Sequence, residues 1–395
     1  MKILQICPIF PPYPQNFGSG VTNVVYHISK ELVRRGHEVT VYTSTSLGLR
    51  KKMYHVNNPT SVDGIEVHAF QYTLGYYTFF ITPGIITAMR KNIRKFDVIH
   101  LHDNICFQSI ICHHYAKRYN IPYILQTHGS PPRMVGERKF KWMLDIAFGS
   151  RILRDASKII ALTKTEDGQL KNIGVSEDKI EIVPNGIEIS EYDNLPKRGD
   201  FRKKYAIRDD EKIILYLGRI HKIKGIDLLV NAFVDLVKEL DDVRLVIVGG
   251  DSGFLSTLKK QINVLNIDDN ILFTGPLYER DKLEAYVDAD VYVLPSVYET
   301  FPVTVLEAMA CGTPVIVTDR CGIANILDKV GCVVEYDKDQ LRVAILKILS
   351  DEGLKRRFGD DCKKLVVEEF GWSAIIMQIE KVYKNATSVT KEMTG

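Results

Sequence analysis

Two glutamates, Glu299 and Glu307, are separated by seven residues in the second half of the chain. An apolar run typical of a strand ends at Leu294, Pro302 suits the first turn of a helix, and Gly312 suits the position just after its end. Glu299 is therefore predicted to lie in the loop ahead of the helix, and Glu307 within the helix. Carboxylates placed in this way can accept hydrogen bonds from the hydroxyl groups of a ribose and a hexose.

The predicted start of this helix is itself suited to binding. Backbone N–H groups there have no partner within the helix and form a positive end that attracts a phosphate or sugar hydroxyls. The residues at this end are Thr300, Phe301, Pro302 and Val303. An alternative stays open, in which Glu299 only complements the helix dipole and Glu307 is a surface glutamate.

A basic loop, Gly218-Arg219-Ile-His-Lys-Ile-Lys224-Gly225, also lies between a predicted strand and a predicted helix. The planar guanidinium of Arg219 and the ammonium of Lys224 are groups that bind a diphosphate. The chain has no Walker A lysine loop and no G-x-G-x-x-G after its first strand, so phosphates must be held in another way. The alternative is a solvated basic loop without a ligand.

Histidines follow two predicted strands of the first half. His128 follows one of them, and His100, His102 and Asp103 form a second group. Imidazole and carboxylate groups can hold a transition metal, contact a substrate or serve a structural role. We interpret His128 as functional, and we leave open whether the second group contacts an acceptor.

Strands alternate with helices in both halves of the chain, which predicts an α/β protein with two doubly wound, Rossmann-like parallel sheets. The predicted strands are residues 3–7, 39–42, 98–101, 123–127, 159–162, 180–183, 213–217, 245–248, 271–273, 291–294 and 315–317. Thr163 and Glu166, just after the predicted strand at 159–162, have the spacing of a helix capping box. The alternation of strands and helices weakens over residues 184–212, which we interpret as a linker. We expect an N-terminal domain at 1–186, a C-terminal domain at 187–370, and a last helix at 371–395 that crosses back to the first domain.

Composition narrows the class of protein. A length of 395 residues favours two domains, and a net charge of +3 gives no reason to expect nucleic-acid binding. The seven cysteines form no C-x-x-C pair and suit a reducing compartment. The chain starts without a signal-peptide pattern and has no run of 18 apolar residues, so we expect a cytoplasmic protein.

The motifs together resemble the donor site of glycosyltransferase family four, which comprises retaining enzymes of GT-B architecture. The resemblance rests on Gly218-Arg219, on Lys224-Gly225, and on Glu299-x7-Glu307 followed by Ala-Met-Ala-Cys-Gly-Thr-Pro. It implies that Arg219 and Lys224 bind the donor diphosphate and stabilise charge on the departing nucleotide. It also implies that Glu299 contacts the transferred sugar and that Glu307 holds the ribose hydroxyls.

Three further positions resemble the family pattern. Leu277 and Tyr278 lie in a loop, residues 275–279, that resembles the one lining the base. Gly18-Ser19-Gly20 resembles a glycine loop whose amides approach the phosphates, and His128 resembles a histidine that faces the reacting sugar. Two residues depart from the pattern, because Ser19 and Thr300 stand where the family often has glycine.

The resemblance implies transfer of a hexose-type sugar from a nucleoside diphosphate, such as a UDP-sugar or GDP-mannose, by front-face substitution. The donor is a co-substrate, and neither a cofactor nor a metal is expected, because Arg219 and Lys224 replace the metal. His128 and Gly20 should face Arg219 and Glu299 across one cleft. A nucleotide-sugar epimerase and a non-catalytic sugar-nucleotide-binding scaffold remain alternatives.

The acceptor is expected to bind the first domain, as a glycan, a lipid-linked sugar or a small molecule. Residues 74–81 are apolar and aromatic, and the segment from residue 133 to 158 carries seven basic and three acidic side chains, a local charge of +4. Such a surface suits peripheral contact with an anionic cytoplasmic membrane face. The alternative is core residues with a solvated basic face.

Overall fold

The structure is a computed structural model that describes residues 1–10, 20–46, 58–76, 79–103, 105–129, 148–328 and 330–392. Gly18 and Ser19 of the predicted glycine loop, and most of the predicted basic segment at 133–158, lie outside the described residues. The chain divides into two compact units. Unit 1 comprises Met1–Asn185 with Trp372–Gly395, and unit 2 comprises Gly186–Gly371.

Unit 1 contains an eight-stranded sheet in the order β10-β9-β8-β7-β1-β2-β4-β3, which is parallel except for β3, and a separate two-stranded hairpin of β5 and β6. Its strands are β1 Lys2–Ile9, β2 Glu38–Ser44, β3 Thr60–Val62, β4 Ile65–Phe70, β5 Leu74–Tyr76, β6 Phe79–Ile81, β7 Val98–His102, β8 Tyr123–Gln126, β9 Lys158–Ala161 and β10 Ile180–Ile182. Its helices are α1 Gly20–Arg34, α2 Gly84–Asn92, α3 Phe107–Tyr119, α4 Ser150–Asp155, α5 Lys164–Asn172 and the last helix α14, Trp372–Glu392.

Each face of the unit 1 sheet is covered by helices, as a parallel sheet requires. On one face, α1 buries Val25, Ile28 and Leu32 against the strands and against α14. The last helix buries Ile375, Ile376, Ile379, Val382, Tyr383 and Ala386 in the same cluster. Glu380 on its polar side accepts hydrogen bonds from Arg35, which lower the pKa of its carboxyl to about 2.

Unit 2 contains a six-stranded, fully parallel sheet in the order β13-β12-β11-β14-β15-β16. Its strands are β11 Lys212–Leu217, β12 Val243–Val248, β13 Ile271–Gly275, β14 Val291–Leu294, β15 Val315–Thr318 and β16 Cys332–Val334. Its helices are α6 Asp200–Lys204, α7 Ile226–Glu239, α8 Leu255–Val264, α9 Glu279–Asp288, α10 Val303–Ala310, α11 Ala324–Leu327, α12 Lys338–Ser350 and α13 Glu352–Glu369.

The predicted α/β class with two parallel sheets is confirmed, and the eleven predicted strands all lie within one or two residues of observed ones. The strands β3, β5, β6 and β16 were not predicted, because each has only three residues. The six-residue strand β4 was also missed, because it alternates buried and more exposed side chains and lacks a continuous apolar run. The segment at 74–81 proves to be the β5–β6 hairpin as far as it is described, with Leu74 exposed and Phe80 buried.

The segment interpreted as a linker is anchored rather than free. Asp288, which is fully buried, accepts hydrogen bonds from the backbone N–H groups of Gly199 and Arg202 at the start of α6. The guanidinium of Arg202 reaches Asp290, whose carboxylate also binds Lys355 at 2.8 Å. A buried charge is stable only when it is paired, so this network ties residues 199–202 firmly to unit 2.

Candidate functional site

The sheet of unit 2 has one topological switch point, between the neighbouring strands β11 and β14. The chain leaves β11 toward β12 and β13 and then returns to the other side of β11 as β14. Ligands of doubly wound sheets bind at such a point, outside the carboxyl ends of the strands. The loop after β11 carries Arg219 and Lys224, and the loop after β14 carries Glu299, so the two predicted motifs meet here.

Backbone contacts hold these two loops together. The N–H of Val297 donates to the carbonyl of Ile223 at 2.9 Å. Gly225 has a φ of +64°, and a Cβ at this position would lie 1.8 Å from the carbonyl oxygen of Pro295. Only glycine permits this approach. In the Lys224-Gly225 pair, Gly225 is therefore needed for packing, and Lys224 supplies the charge.

The loop that carries Glu299 is also fixed from its other side. The N–H of Gly322 donates to the carbonyl of Glu299 at 2.7 Å, and a Cβ on Gly322 would lie 2.0 Å from the carbonyl oxygen of Thr300. Thr318 donates its hydroxyl to the carbonyl of Ser296. The loop is therefore held before any ligand arrives, which reduces the entropy lost on binding.

Lys224 and Glu299 form an ion pair, with both side chains largely buried. The family resemblance implies separate roles for them, Lys224 at the diphosphate and Glu299 at the sugar. The structure places the two side chains in direct contact. A diphosphate bound here would compete with Glu299 for the Lys224 ammonium. Arg219 is exposed and makes no ion pair within the described part of the chain, so its guanidinium is available to an anion.

Glu307 lies within α10, as predicted, and both of its carboxylate oxygens have partners. Lys282 binds one oxygen at 2.7 Å, and the hydroxyl of Tyr286 donates to the other at 3.0 Å. Both partners lie on α9, and sequence analysis missed them. The spacing of four residues between Lys282 and Tyr286 was the only available signal, and such spacing is common on solvated helices.

The start of α10 differs slightly from the prediction. Pro302 occupies the position before the helix, which begins at Val303, and Gly312 has the predicted left-handed conformation after its end, with a φ of +77°. The side chain of Phe301 is buried, with its ring 6.2 Å from that of Phe370. Among these residues a ligand would therefore meet the backbone and Thr300 rather than the Phe301 ring.

The predicted base loop follows β13 at the same edge of the sheet. Leu277 is half-buried and Tyr278 is exposed, directly before α9. Because α9 also carries Lys282 and Tyr286, the segment that would line a base continues into the residues that hold Glu307. The predicted base loop and the two partners of Glu307 therefore belong to consecutive parts of the chain.

The corresponding edge of unit 1 carries His128. The order in which the chain adds strands to this sheet reverses between the neighbouring strands β1 and β7. His128 follows β8, which pairs with β7. Gly20 is the first residue of α1 and is exposed. His128 has a φ of +50°, a left-handed conformation that side chains other than glycine adopt rarely, so its placement requires support from its surroundings.

That support comes from a buried carboxylate that sequence analysis treated only as part of a helix cap. Glu166 accepts hydrogen bonds from the Thr127 hydroxyl and from the N–H groups of Gly129 and Leu162, the last two at 2.9 and 2.7 Å. Thr163 caps α5 as predicted, accepting from the N–H of Glu166. Glu166 thus binds both neighbours of His128 and fixes the turn between them.

The group formed by His100 and His102 does not reach a surface. Both rings are fully buried in unit 1, so the alternative in which they contact an acceptor directly is wrong for this conformation. Instead His102 Nδ1 lies 2.9 Å from His128 Nε2, and His100 Nδ1 lies 2.9 Å from the hydroxyl of Tyr383 on α14. Burial lowers the pKa of His100 and of His128 to about 3 and that of His102 well below its ordinary value.

The buried histidines predict acid sensitivity. An unfolded histidine takes up a proton near pH 6.5, whereas His100 in the folded protein stays neutral until about pH 3. The unfolded state therefore binds more protons as the pH falls, and the free energy of unfolding should decrease by about 1.4 kcal/mol per pH unit for each such histidine. Urea denaturation at several pH values between 7 and 5 measures this slope. This pH range lies above the one in which most carboxylates titrate.

A matched pair of variants assigns the slope. His102→Gln should reduce the pH dependence, whereas His114→Gln, at an exposed position of α3, should reduce it much less. Equal slopes in the two variants would contradict the assignment to the buried rings.

Within the described residues, no group of three or more histidine, cysteine, aspartate or glutamate side chains is arranged to hold a metal ion. The seven cysteines are free thiols, and burial raises the pKa of Cys106 and of Cys321 to about 12. These thiols are therefore protonated and unreactive at neutral pH.

Each half of the chain matches a glycosyltransferase family model. A family model described as Glycosyltransferase Family 4 matches residues 18–191, and one described as Glycosyl transferases group 1 matches residues 197–365. The second match contains Arg219, Lys224, Glu299 and Glu307. The two matches cover most of unit 1 and most of unit 2, in the order of the motifs.

Curated relatives extend over nearly the whole chain. An uncharacterized glycosyltransferase of Methanocaldococcus jannaschii is 29% identical over 412 residues, covering 99% of this chain and 100% of the relative. The N-acetyl-alpha-D-glucosaminyl L-malate synthase of Bacillus anthracis is 27% identical, with 94% of each chain covered. The alpha-monoglucosyldiacylglycerol synthase of Streptococcus pneumoniae is 28% identical, covering 84% of this chain and 75% of the relative.

Solved structures show the same fold. Sucrose-phosphate synthase from Thermosynechococcus elongatus superimposes with a TM-score of 0.74 at 22% identity, covering 98% of this chain and 99% of the other. The Anabaena protein HepE in complex with UDP gives 0.77 at 17% identity, covering 97% and 100%. With both halves matched by glycosyltransferase models and the fold shared with such enzymes, the chain belongs to the glycosyltransferases of family 4 and has their GT-B fold.

Proposed function

We propose that the protein transfers a hexose-type sugar from a nucleoside diphosphate to an acceptor hydroxyl, with retention of the anomeric configuration. The observation that carries this proposal is the meeting of the two motif loops at the switch point of unit 2, where Lys224 pairs with Glu299. Arg219 lies in the same loop as Lys224, is exposed, and makes no ion pair with any described residue. This arrangement supplies two cations for a diphosphate and a carboxylate for sugar hydroxyls. Glu307 and Lys282 lie farther along the same edge, where a ribose would follow.

In the proposed reaction, the bond between the anomeric carbon and the diphosphate oxygen breaks, and the departing oxygen keeps the electron pair. The acceptor hydroxyl attacks on the same face and forms the new glycosidic bond. Its proton passes to an oxygen of the departing phosphate. Arg219 and Lys224 stabilise the negative charge that develops on the nucleoside diphosphate, which is the largest contribution expected from fixed charges.

The names of similar proteins support a nucleotide-sugar donor and do not narrow the chemical class of the acceptor. HepE was solved with UDP and with UDP-glucose, and two of the relatives named above synthesise, by their names, an N-acetylglucosaminyl malate and a monoglucosyldiacylglycerol. We propose a UDP-sugar or GDP-mannose as the donor. That the unit 1 residue His128 and the unit 2 residue Glu299 face one sugar stays a prediction.

A two-stage experiment tests this function. Thermal denaturation with UDP, GDP and ADP and their sugars identifies the base, because a ligand of the folded state raises the melting temperature. The best donor is then incubated with alcohols, sugars and lipid-linked acceptors, and the product is analysed by NMR. A new glycoside of retained configuration is expected. An isomerised donor would indicate the epimerase, and binding without hydrolysis or transfer would indicate the scaffold.

Metal independence is a further part of the proposal, because two side-chain cations are already placed where a diphosphate would bind. Sugar transfer is expected to continue at an unchanged rate in the presence of EDTA. The control is the same assay with added magnesium or manganese, which should not raise the rate more than slightly. Loss of transfer in EDTA with recovery on adding either ion would disprove this part.

A lipid-linked acceptor is proposed from the surface of unit 1. The helices α2 and α3, with the short 3-10 turn that follows α2, carry exposed basic residues, Arg90, Lys91, Arg94, Lys95, Lys117 and Arg118. Phe148 is 40% exposed, near Arg151 and the apolar Ile110 and Ile111 on a cavity of about 530 Å³. No helix in the described parts of the chain could cross a bilayer. Co-sedimentation with anionic vesicles, compared with neutral ones, tests peripheral contact.

A further inference from the structure

We propose that Gln5 and His102 are positioning residues that hold His128 in one tautomer, with its hydrogen on Nε2 and its lone pair on Nδ1. This inference rests on the proposed function, because it says what His128 presents to the sugar. A neutral ring with a free Nδ1 accepts a hydrogen bond from a sugar hydroxyl and donates none from that atom. A series of buried polar contacts within unit 1 fixes this tautomer.

The contacts run from the last helix to His128 without a gap. The Nε2 of Gln5 donates to the hydroxyl oxygen of Tyr383 at 3.3 Å, and the Oε1 of Gln5 lies 2.7 Å from His102 Nε2. His102 Nδ1 lies 2.9 Å from His128 Nε2. Gln5 and His102 are fully buried, so water does not compete for these groups.

Each contact determines the direction of the next one. The carbonyl oxygen of Gln5 can only accept, so His102 must carry its hydrogen on Nε2. A neutral imidazole has one N–H, and His102 Nδ1 is therefore an acceptor. Its partner, His128 Nε2, must donate and so carries the hydrogen of that ring. The remaining nitrogen of His128, Nδ1, keeps its lone pair.

The contacts at the Tyr383 end of this hydrogen-bond series are consistent with the same direction of donation. The Tyr383 hydroxyl oxygen lies 3.3 Å from Gln5 Nε2 and 2.9 Å from His100 Nδ1. The Nε2 of Gln5 can only donate, so the hydrogen of the Tyr383 hydroxyl is free to point to His100 Nδ1. The Tyr383 oxygen then accepts from Gln5, as the amide orientation requires.

The rings must be neutral for this reasoning to hold, and burial ensures that they are. A charged imidazole without a carboxylate partner is costly in such surroundings. Burial keeps the pKa of both His102 and His128 far below neutral. His128 itself is half-buried, so its ring is the member of the chain that a substrate can reach.

The first experiment reads the tautomer directly in the complete protein. Histidine labelled with ¹⁵N is incorporated, and long-range ¹H–¹⁵N spectra at neutral pH report which nitrogen of each ring carries hydrogen. The His128 and His102 signals are assigned by their loss in the His128→Gln and His102→Gln variants. Both rings are expected as the Nε2–H tautomer. A hydrogen on His128 Nδ1, which a reversed Gln5 amide would impose, would overturn the inference.

A matched pair of variants then tests positioning. Gln5→Met keeps the volume and removes the acceptor of His102, so His128 should lose its single tautomer, and kcat should fall by roughly tenfold, the value of one hydrogen bond, with little change in donor KM. Gln108→Met removes another buried amide of unit 1, which binds Phe80 and Thr82. It should lower stability and leave the tautomer and kcat unchanged.

The outcomes separate this inference from the proposed function. If no donor is transferred or hydrolysed, the proposed function fails, and the spectra still decide the tautomer. If transfer proceeds and Gln5→Met behaves like Gln108→Met in kcat and in the spectra, the proposed function stands and the positioning role of Gln5 is wrong.

Discussion

Replacing Lys224 by alanine is expected to lower kcat/KM for sugar transfer by about two orders of magnitude or more, roughly 3 kcal/mol. In the proposed reaction the ammonium stabilises charge that is greater on the departing diphosphate than on the bound donor, so its loss should reduce kcat more than it raises KM. A second effect adds to the first, because the variant leaves Glu299 largely buried without its partner. Arg219→Ala is expected to have a loss of similar size without this second effect, since Arg219 pairs with no carboxylate in the part of the chain that the structure describes.

Lys222 provides the matched control for both variants. It lies in the same loop, is exposed, and makes no ion pair within the described residues. Lys222→Ala should keep kcat/KM within a few-fold of the parent protein. Steady-state kinetics with the donor identified by thermal denaturation measure all three variants. Near-parent activity of both Lys224→Ala and Arg219→Ala would show that the diphosphate is held elsewhere.

A chain that ends at Gly371 is expected to lose the cooperative folding of unit 1. The missing helix α14 buries Ile375, Ile376, Ile379 and Tyr383 to within 1% of complete burial, together with Val382 and Ala386. At about 1.5–3 kcal/mol for each large side chain, their loss removes on the order of 10 kcal/mol. This equals the entire stability of a typical domain, and it also uncovers the apolar face of α1.

The control is a chain that ends at Ser388, which retains every buried residue just named. Both truncated chains are compared with the complete protein by solubility, by thermal denaturation and by binding of the nucleoside diphosphate. The shorter chain should lose one unfolding transition or aggregate, whereas the chain ending at Ser388 should match the complete protein. A soluble chain ending at Gly371 with unchanged transitions would contradict the structural role of α14.

Local pattern was sufficient for several features of the fold. Continuous apolar runs predicted the buried parallel strands, since such strands are covered on both faces. The helical spacing of Ile375, Ile376 and Ile379 predicted the apolar face of the last helix. Gly312 predicted the end of α10, because a left-handed residue after a helix is most often glycine. Each of these signals involves neighbouring residues only.

Local pattern was insufficient for short edge strands and for the segment at 184–212. Edge strands such as β3 and β16 bury little surface, so they lack the apolar run that marks a central strand. The polar composition of 184–212 suggested a linker, and its partners Asp288 and Asp290 lie about ninety residues away in sequence. Pairing over that distance leaves no periodic signal.

The candidate site was likewise predicted only in part from the sequence. The residue types and spacings of Arg219, Lys224, Glu299 and Glu307 were enough to predict a donor site of family four, because such motifs occupy loops at strand ends. The tertiary structure decided that Lys224 pairs with Glu299, since only the strand order makes β11 and β14 neighbours.

Only the tertiary structure identified the residues that support His128. Gln5 lies within an apolar strand, Tyr383 lies on the apolar face of the last helix, and Glu166 was recognisable only as part of a helix cap. Sequence determined which side chains could carry the chemistry and which elements they would follow. The orientation of those side chains depends on buried hydrogen bonds between residues as many as 378 positions apart, and these bonds exist only once the sheet and its covering helices have formed.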